Sequence, residues 1–219
     1  MQRRLIFSEG EFYHLYNRGV EKRRIFTTEK DYKRFIRLLY LANSDRRFVF
    51  RDVERTALSE IDRGEPLVAI GAYVLMPNHF HILVKEIKPG GISAFMEKLL
   101  TGYAAYFNKS HDRTGRLFQS TFQARHASRD EYLKYLFAYI HLNPIKLVEP
   151  AWKEAGIKNK AHAQEYLAKF QYSSYLDYVD ENRAEGIILM KNEFPEYFSE
   201  QNQFSDFHDD WLSCKDINT

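Results

Sequence analysis

Apolar residues recur along this chain with two different periods, and the period changes mark the elements. Residues 12–17 form a short apolar run closed by Arg18-Gly19, which predicts a strand ending in a turn. Across residues 29–42 the apolar positions Tyr32, Phe35, Ile36, Leu38, Leu39 and Tyr40 recur close to every 3.6 residues, with Asp31 in the first turn, and predict a helix. The charged stretch 51–66, containing Gly64 and Pro66, reads as a surface connection with at most a short helical turn. Two apolar runs, 67–76 and 79–87, then meet through Pro77-Asn78 and predict adjacent strands.

A second helical stripe opens after Gly90-Gly91, with Ile92, Phe95, Met96, Leu99, Leu100, Tyr103 and Phe107 on one side, and stops before residues 111–115. Residues 116–127 alternate weakly and predict a strand or extended hairpin. Ser128-Arg129-Asp130-Glu131 has the spacing of a capping box, in which the serine and glutamate side chains satisfy unpaired amides at a helix start. The helix it opens should run to about Asn143, because Pro144 disfavours helical geometry in the residue before it. Beyond Pro150 lies a mixed tail with a Tyr172-Ser173-Ser174-Tyr175 segment.

Composition narrows the class. With 219 residues and 44% hydrophobic content there is material for one sizeable core. No apolar stretch reaches the ~18 residues of a membrane span, and charged residues interrupt the start, so the expectation is a cytoplasmic protein with no membrane partner. The single cysteine, Cys214, excludes an internal disulfide framework and any multi-cysteine zinc site, leaving histidine and oxygen as metal ligands. The net charge of +2 conceals a division: residues 1–150 hold 25 Lys/Arg against 17 Asp/Glu, and residues 151–219 hold 7 against 13. A basic body followed by an acidic extension suits a domain that binds a polyanion.

Two places carry candidate chemistry. In His79-Phe80-His81, strand alternation sends both imidazoles to one side, so one rigid element offers two neighbouring ligands. On the third helix Tyr139 and Asn143 are one turn apart, and Tyr132 and Tyr135 lie on much the same face. The plainer reading of each is packing: a core or surface histidine pair, and a helix rich in rim aromatics. Arg18, Lys22, Arg23 and Arg24 cluster after the first strand, while Arg113, Arg116, Arg125 and Arg129 surround Phe118 and Phe122, a mixture suited to phosphate contacts and base stacking on an unpaired strand.

Residues 12–19 (Phe-Tyr-His-Leu-Tyr-Asn-Arg-Gly), 73–83 (Tyr-Val-Leu-Met-Pro-Asn-His-Phe-His-Ile-Leu) and 139–144 (Tyr-Ile-His-Leu-Asn-Pro) together resemble the signatures of IS200-like Y1 transposases of the His-hydrophobic-His class, most of all the REP-associated tyrosine transposases. The resemblance implies an α+β fold with a ferredoxin-like antiparallel sheet and helices on one face, as in single-strand nucleases of that class. It assigns residues 1–150 to the catalytic domain and 151–219 to a C-terminal extension. It further implies Tyr139 as nucleophile, with His79, His81 and Asn143 holding a divalent metal. Two imidazoles and one amide oxygen suit Mg²⁺ or Mn²⁺ better than a closed zinc site.

The activity so implied is cleavage and rejoining of single-stranded DNA beside hairpins through a 5′-phosphotyrosine, by a protein that is usually a homodimer and works at the nucleoid. Two other readings stay open at this point. One is a hairpin-DNA-binding protein that no longer cuts. The other is a small metallohydrolase using His79 and His81 with Asp112 or Asp130. Tyr135 is a second candidate nucleophile.

Overall fold

The computed structural model describes residues 5–179, 182–195 and 197. Cys214 and the end of the acidic extension lie outside these residues. In chain order come β1 (Phe12–Arg18), α1 (Glu29–Leu41), the short α2 (Phe50–Val53), β2 (Val68–Met76), β3 (His79–Glu86), α3 (Gly91–Ser110), β4 (Gln123–His126) and α4 (Asp130–Leu142). Three further short helices follow, α5 (Trp152–Ala155), α6 (Lys160–Lys169) and α7 (Tyr175–Val179). The strands form one sheet in the order β2-β3-β1-β4, and every pairing is antiparallel. With α1 and α3 as the crossovers, this is the ferredoxin-like α+β arrangement that the sequence blocks imply.

Strand alternation sorts the side chains. Leu15, Phe80 and Ile82 point to the face covered by Phe35 and Leu39 of α1 and by Phe95, Leu99 and Tyr103 of α3. The neighbours between them on β1 and β3, His14, Tyr16, His79 and His81, therefore share the opposite face. That face is covered as well: Leu133, Leu136, Phe137 and Ile140 of α4 pack on Ala72, Val74 and Leu83, together with Phe170 and Phe194. The crossover helices keep to one face as expected, and α4 with the later chain forms a second layer on the other. All nine residues of β2 are consequently buried.

A bulge at Gly71 lets one strand serve both layers. Ile70 pairs with Val84 and Ala72 with Leu83, so Gly71 is the extra residue. A Cβ here would lie 2.6 Å from the Phe194 ring, which fills the space the glycine leaves.

The start of α1 agrees with the sequence expectation and the start of α4 does not. Thr28 and Asp31 form a capping box at α1, with the Asp31 carboxylate also accepting from the Thr27 and Thr28 amides at 2.9 Å each. Ser128 does not cap α4. The sheet pairing continues through Ala127 N–H donating to Phe12 O, which keeps the chain extended through Arg129, and Arg129 becomes the N-cap without a side-chain bond. Of residues 116–127 only the last few form a strand, while Leu117 and Phe118 turn into the core. At its far end α4 stops at Leu142 and tightens into a 3₁₀ turn, Asn143–Leu147, that contains Pro144.

The later chain docks on the free edge of β2. Leu75 N–H donates to Tyr172 O and Ser174 N–H to Tyr73 O, both at 2.9 Å, while Ser174 Oγ accepts the Tyr73 amide and lies 2.8 Å from His141 Nε2. This gives the Tyr-Ser-Ser-Tyr segment a structural role: it covers an edge that would otherwise expose unpaired backbone groups. No helix among the described residues is long and apolar enough to cross a membrane.

Candidate active site

The register of β1 and β3 builds the site. His79 sits opposite Arg18 and His81 opposite Tyr16, with His14 two residues back on the same face. From the other layer α4 brings Tyr139, whose hydroxyl is 3.5 Å from His81 Nε2. His14 Nε2 is 2.8 Å from His81 Nδ1, and both rings are buried. His79 Nδ1 lies 2.6 Å from Asn78 Oδ1. The Asn78 amide nitrogen donates to Lys22 O at 3.2 Å, so its oxygen faces the imidazole. His79 is then the donor at Nδ1, and its Nε2 carries the lone pair.

All three imidazoles are held neutral. Burial brings His14 down to about 3, assisted by Arg125 and Lys153. Burial brings His79 down to about 4, assisted by Arg18, Lys146 and Lys153. His81 is driven well below its ordinary range by burial and then by its two histidine neighbours. Neutral imidazoles keep the lone pairs that metal ligands need. Burial pushes the Tyr139 phenol up, while a hydrogen bond from Asn143 and the charge of Arg18 oppose that rise.

Among the described residues no three His, Cys, Asp or Glu side chains converge as a metal site, so a third ligand to His79 and His81 would be of another class. Asn143 meets that requirement: it is 2% exposed and its Oδ1 is a buried acceptor with no hydrogen-bond partner. A buried acceptor left unpaired costs roughly 1–3 kcal/mol, a cost that a bound cation would remove. Of the acidic residues of the metallohydrolase reading, Asp130 is engaged elsewhere. Asp130 pairs with Lys134 at 2.9 Å and accepts from Tyr197, while Asp112 sits in the turn after α3 with φ 47°.

A cleft of about 280 Å³ opens at Tyr139, lined by His14, Tyr16, His81, Arg125, Tyr135 and Lys153, among others. Tyr132, Tyr135 and Tyr139 stack in sequence along α4, with ring centroids 6.0 and 5.8 Å apart. Burial lifts Tyr135 to about 12.

The basic residues divide. Arg18 and Arg125 belong to the site. The bridge Gly19↔Phe118 and the Val20 N–H bond to Leu117 O set the turn carrying Lys22, Arg23 and Arg24 beside the loop carrying Arg113 and Arg116. Lys22, Arg24 and Arg116 are exposed, Arg23 pairs with Glu21, and Arg113 donates to Asn108. Phe118 is a correction. It is 7% exposed and packs edge-on against Phe80 at 6.1 Å, so no base can reach its ring, and it is a core residue.

Two site residues escaped the sequence reading. His14 lay in the first block, and the same alternation that pairs His79 with His81 puts it on their face. Lys153 gave no signal, being one lysine in a mixed tail.

The sequence profile described as "Transposase IS200 like" matches residues 41–143. That segment resembles the IS200-like transposases. It carries His79, His81, Tyr139 and Asn143 and ends on the last of these, leaving His14 and Lys153 outside. No curated protein matches the chain. Among solved structures, a REP-associated tyrosine transposase bound to a REP hairpin aligns with 82% of this chain and 85% of its own, at 14% identity and a TM-score of 0.48.

Proposed function

We propose that this IS200-like protein is a divalent-metal-dependent strand transferase that cuts and rejoins single-stranded DNA beside hairpins, with Tyr139 as the nucleophile. The observation that carries the reading is the meeting of the Tyr139 hydroxyl with His81 of the His79–His81 pair, beside Asn143, whose side chain hydrogen-bonds Tyr139 and whose oxygen is buried without a partner. Their surroundings support it: Arg18, Arg125, Lys146 and Lys153 bring positive charge to a site that must take up a phosphodiester.

His79, His81 and Asn143 would hold the cation, Mg²⁺ or Mn²⁺, leaving positions open for phosphate oxygens. When bound it would polarise the scissile phosphate and stabilise the charge that develops in the transition state. His14 fixes the His81 ring: with His81 Nδ1–H donating to His14, Nε2 turns its lone pair towards Tyr139 and the cation site. Tyr139 attacks phosphorus and the 3′ oxygen leaves, giving a 5′-phosphotyrosine and a free 3′ hydroxyl. The phosphoester linkage is retained, so rejoining needs no nucleotide cofactor.

The test incubates the protein and its Tyr139→Phe variant, with Mn²⁺ or Mg²⁺, with labelled single strands that form hairpins, and looks for a protein–DNA adduct that survives denaturant. An adduct that the substitution abolishes, with DNA binding kept, is expected. Tight binding without an adduct would favour a hairpin binder that does not cut, and an adduct surviving in the variant would move the nucleophile, with Tyr135 first in line.

A further inference from the structure

Lys153 lies beyond the family match, in α5 of the extension, yet its Nζ sits 3.7 Å from the centroid of the Tyr139 ring. Its place is set by its neighbour. Trp152 is 2% exposed and wedges between Ala138 and Leu142 of α4 and Ile145 of the following turn, so the helix that carries the tyrosine also anchors the lysine.

The charge on Lys153 is otherwise unexplained. No carboxylate among the described residues lies within ion-pair distance, and burial with the nearby Lys146 brings its ammonium down to about 8. A partly desolvated cation with no counter-charge closer than Glu154, which attracts it too weakly to offset burial, is costly unless something at the site uses it. The ring beneath it offers weak attraction as a neutral phenol, and a much stronger one once negative charge develops on the phenol oxygen.

Resting on the strand-transfer reading above, we propose that Lys153 is a positioning and electrostatic residue of the nucleophile: seated over the Tyr139 ring, it holds the ring in place and attracts the charge that moves through it during attack. In that step the Tyr139 O–H bond breaks and its oxygen bonds to phosphorus. The bond from phosphorus to the 3′ oxygen breaks, and that oxygen gains a proton, so that atoms and charge balance over the step. Lys153 keeps its proton throughout and supplies only charge. The C-terminal extension is thereby part of the active site, and the family segment alone lacks this group.

The experiment measures single-turnover adduct formation at saturating hairpin DNA for the full chain, Lys153→Met and Lys153→Arg, with DNA affinity and melting temperature measured alongside. Loss of a desolvated cation–ring contact predicts a rate about 30-fold lower for Lys153→Met, and recovery to within about threefold for Lys153→Arg, which keeps a cation over the ring. Affinity and melting temperature should change little. An unchanged rate in Lys153→Met, a loss confined to DNA affinity, or an arginine variant as slow as the methionine one would overturn the proposal. Absence of any adduct from the parent protein would overturn the strand-transfer reading and this inference with it, whereas a normal parent beside an unaffected Lys153→Met removes this inference alone.

Discussion

Replacing His14 tests whether the ring behind His81 governs the proposed metal site. His14→Leu keeps a buried side chain of similar bulk and removes the acceptor 2.8 Å from His81 Nδ1. Both rings are at most 7% exposed, so no water replaces the lost partner and the orphaned N–H costs roughly 1–3 kcal/mol. Part of that cost appears as stability, about 2–4 °C of melting temperature per kcal/mol in a chain of this size. The rest appears as freedom of the His81 ring to take the other tautomer, which removes its lone pair from the Tyr139 side. Partners of metal-bound histidines typically govern about 10- to 100-fold in metal affinity, and a weakening of that size is expected here. Calorimetric titration with Mn²⁺ measures it directly, without DNA and without turnover. His14→Gln, whose amide oxygen can accept the same N–H, should restore much of the affinity. Folded His14→Leu protein that binds Mn²⁺ as tightly as the parent would refute the reasoning.

Asp31 should stabilise the fold in a pH-dependent way. Its carboxylate is held down at about 2 despite burial, because amide and hydroxyl donors from Thr27 and Thr28 and the His111 ring all favour the ionised form. The folded-state value lies below the ordinary 3.8, so the stabilisation is present above about pH 4 and is lost as pH falls towards 2. Asp31→Asn should therefore cost about 2 kcal/mol in urea unfolding at pH 7, and the gap to the parent should shrink below pH 4. Ser174→Ala removes the group that accepts from Tyr73 and meets His141, leaving buried polar atoms unpaired. It should cost roughly 1–3 kcal/mol and quicken proteolysis in the chain after α6, read by limited digestion and mass spectrometry.

The two crossover helices were legible because each buries one regular stripe, and β2 and β3, covered on both faces, because each is a short continuous apolar run bounded by turn or charged residues. The parity of His79 and His81 followed from strand alternation, and it would have placed His14 beside them had it been applied to the first strand. The start of α4 was misread because a local spacing, Ser128 to Glu131, competes with sheet pairing that reaches Ala127, and the longer-range bond wins. Phe118 looked available for stacking because basic residues surround it in sequence, while the bridge to Gly19 turns its ring inward. Lys153 depends on how Trp152 seats against α4, which is a tertiary contact with no local pattern.

Tyr139 rides on a helix whose inner side is packed against β2 and β3 of the same chain, and its hydroxyl faces His81 of that chain. The proposed nucleophile and the histidine pair thus belong to one packed unit of one chain. If the proposed cleavage uses this arrangement, the cutting step is unimolecular once DNA is bound, so dilution should leave the rate per molecule unchanged and a copy lacking Tyr139 should gain nothing from a neighbour lacking His81.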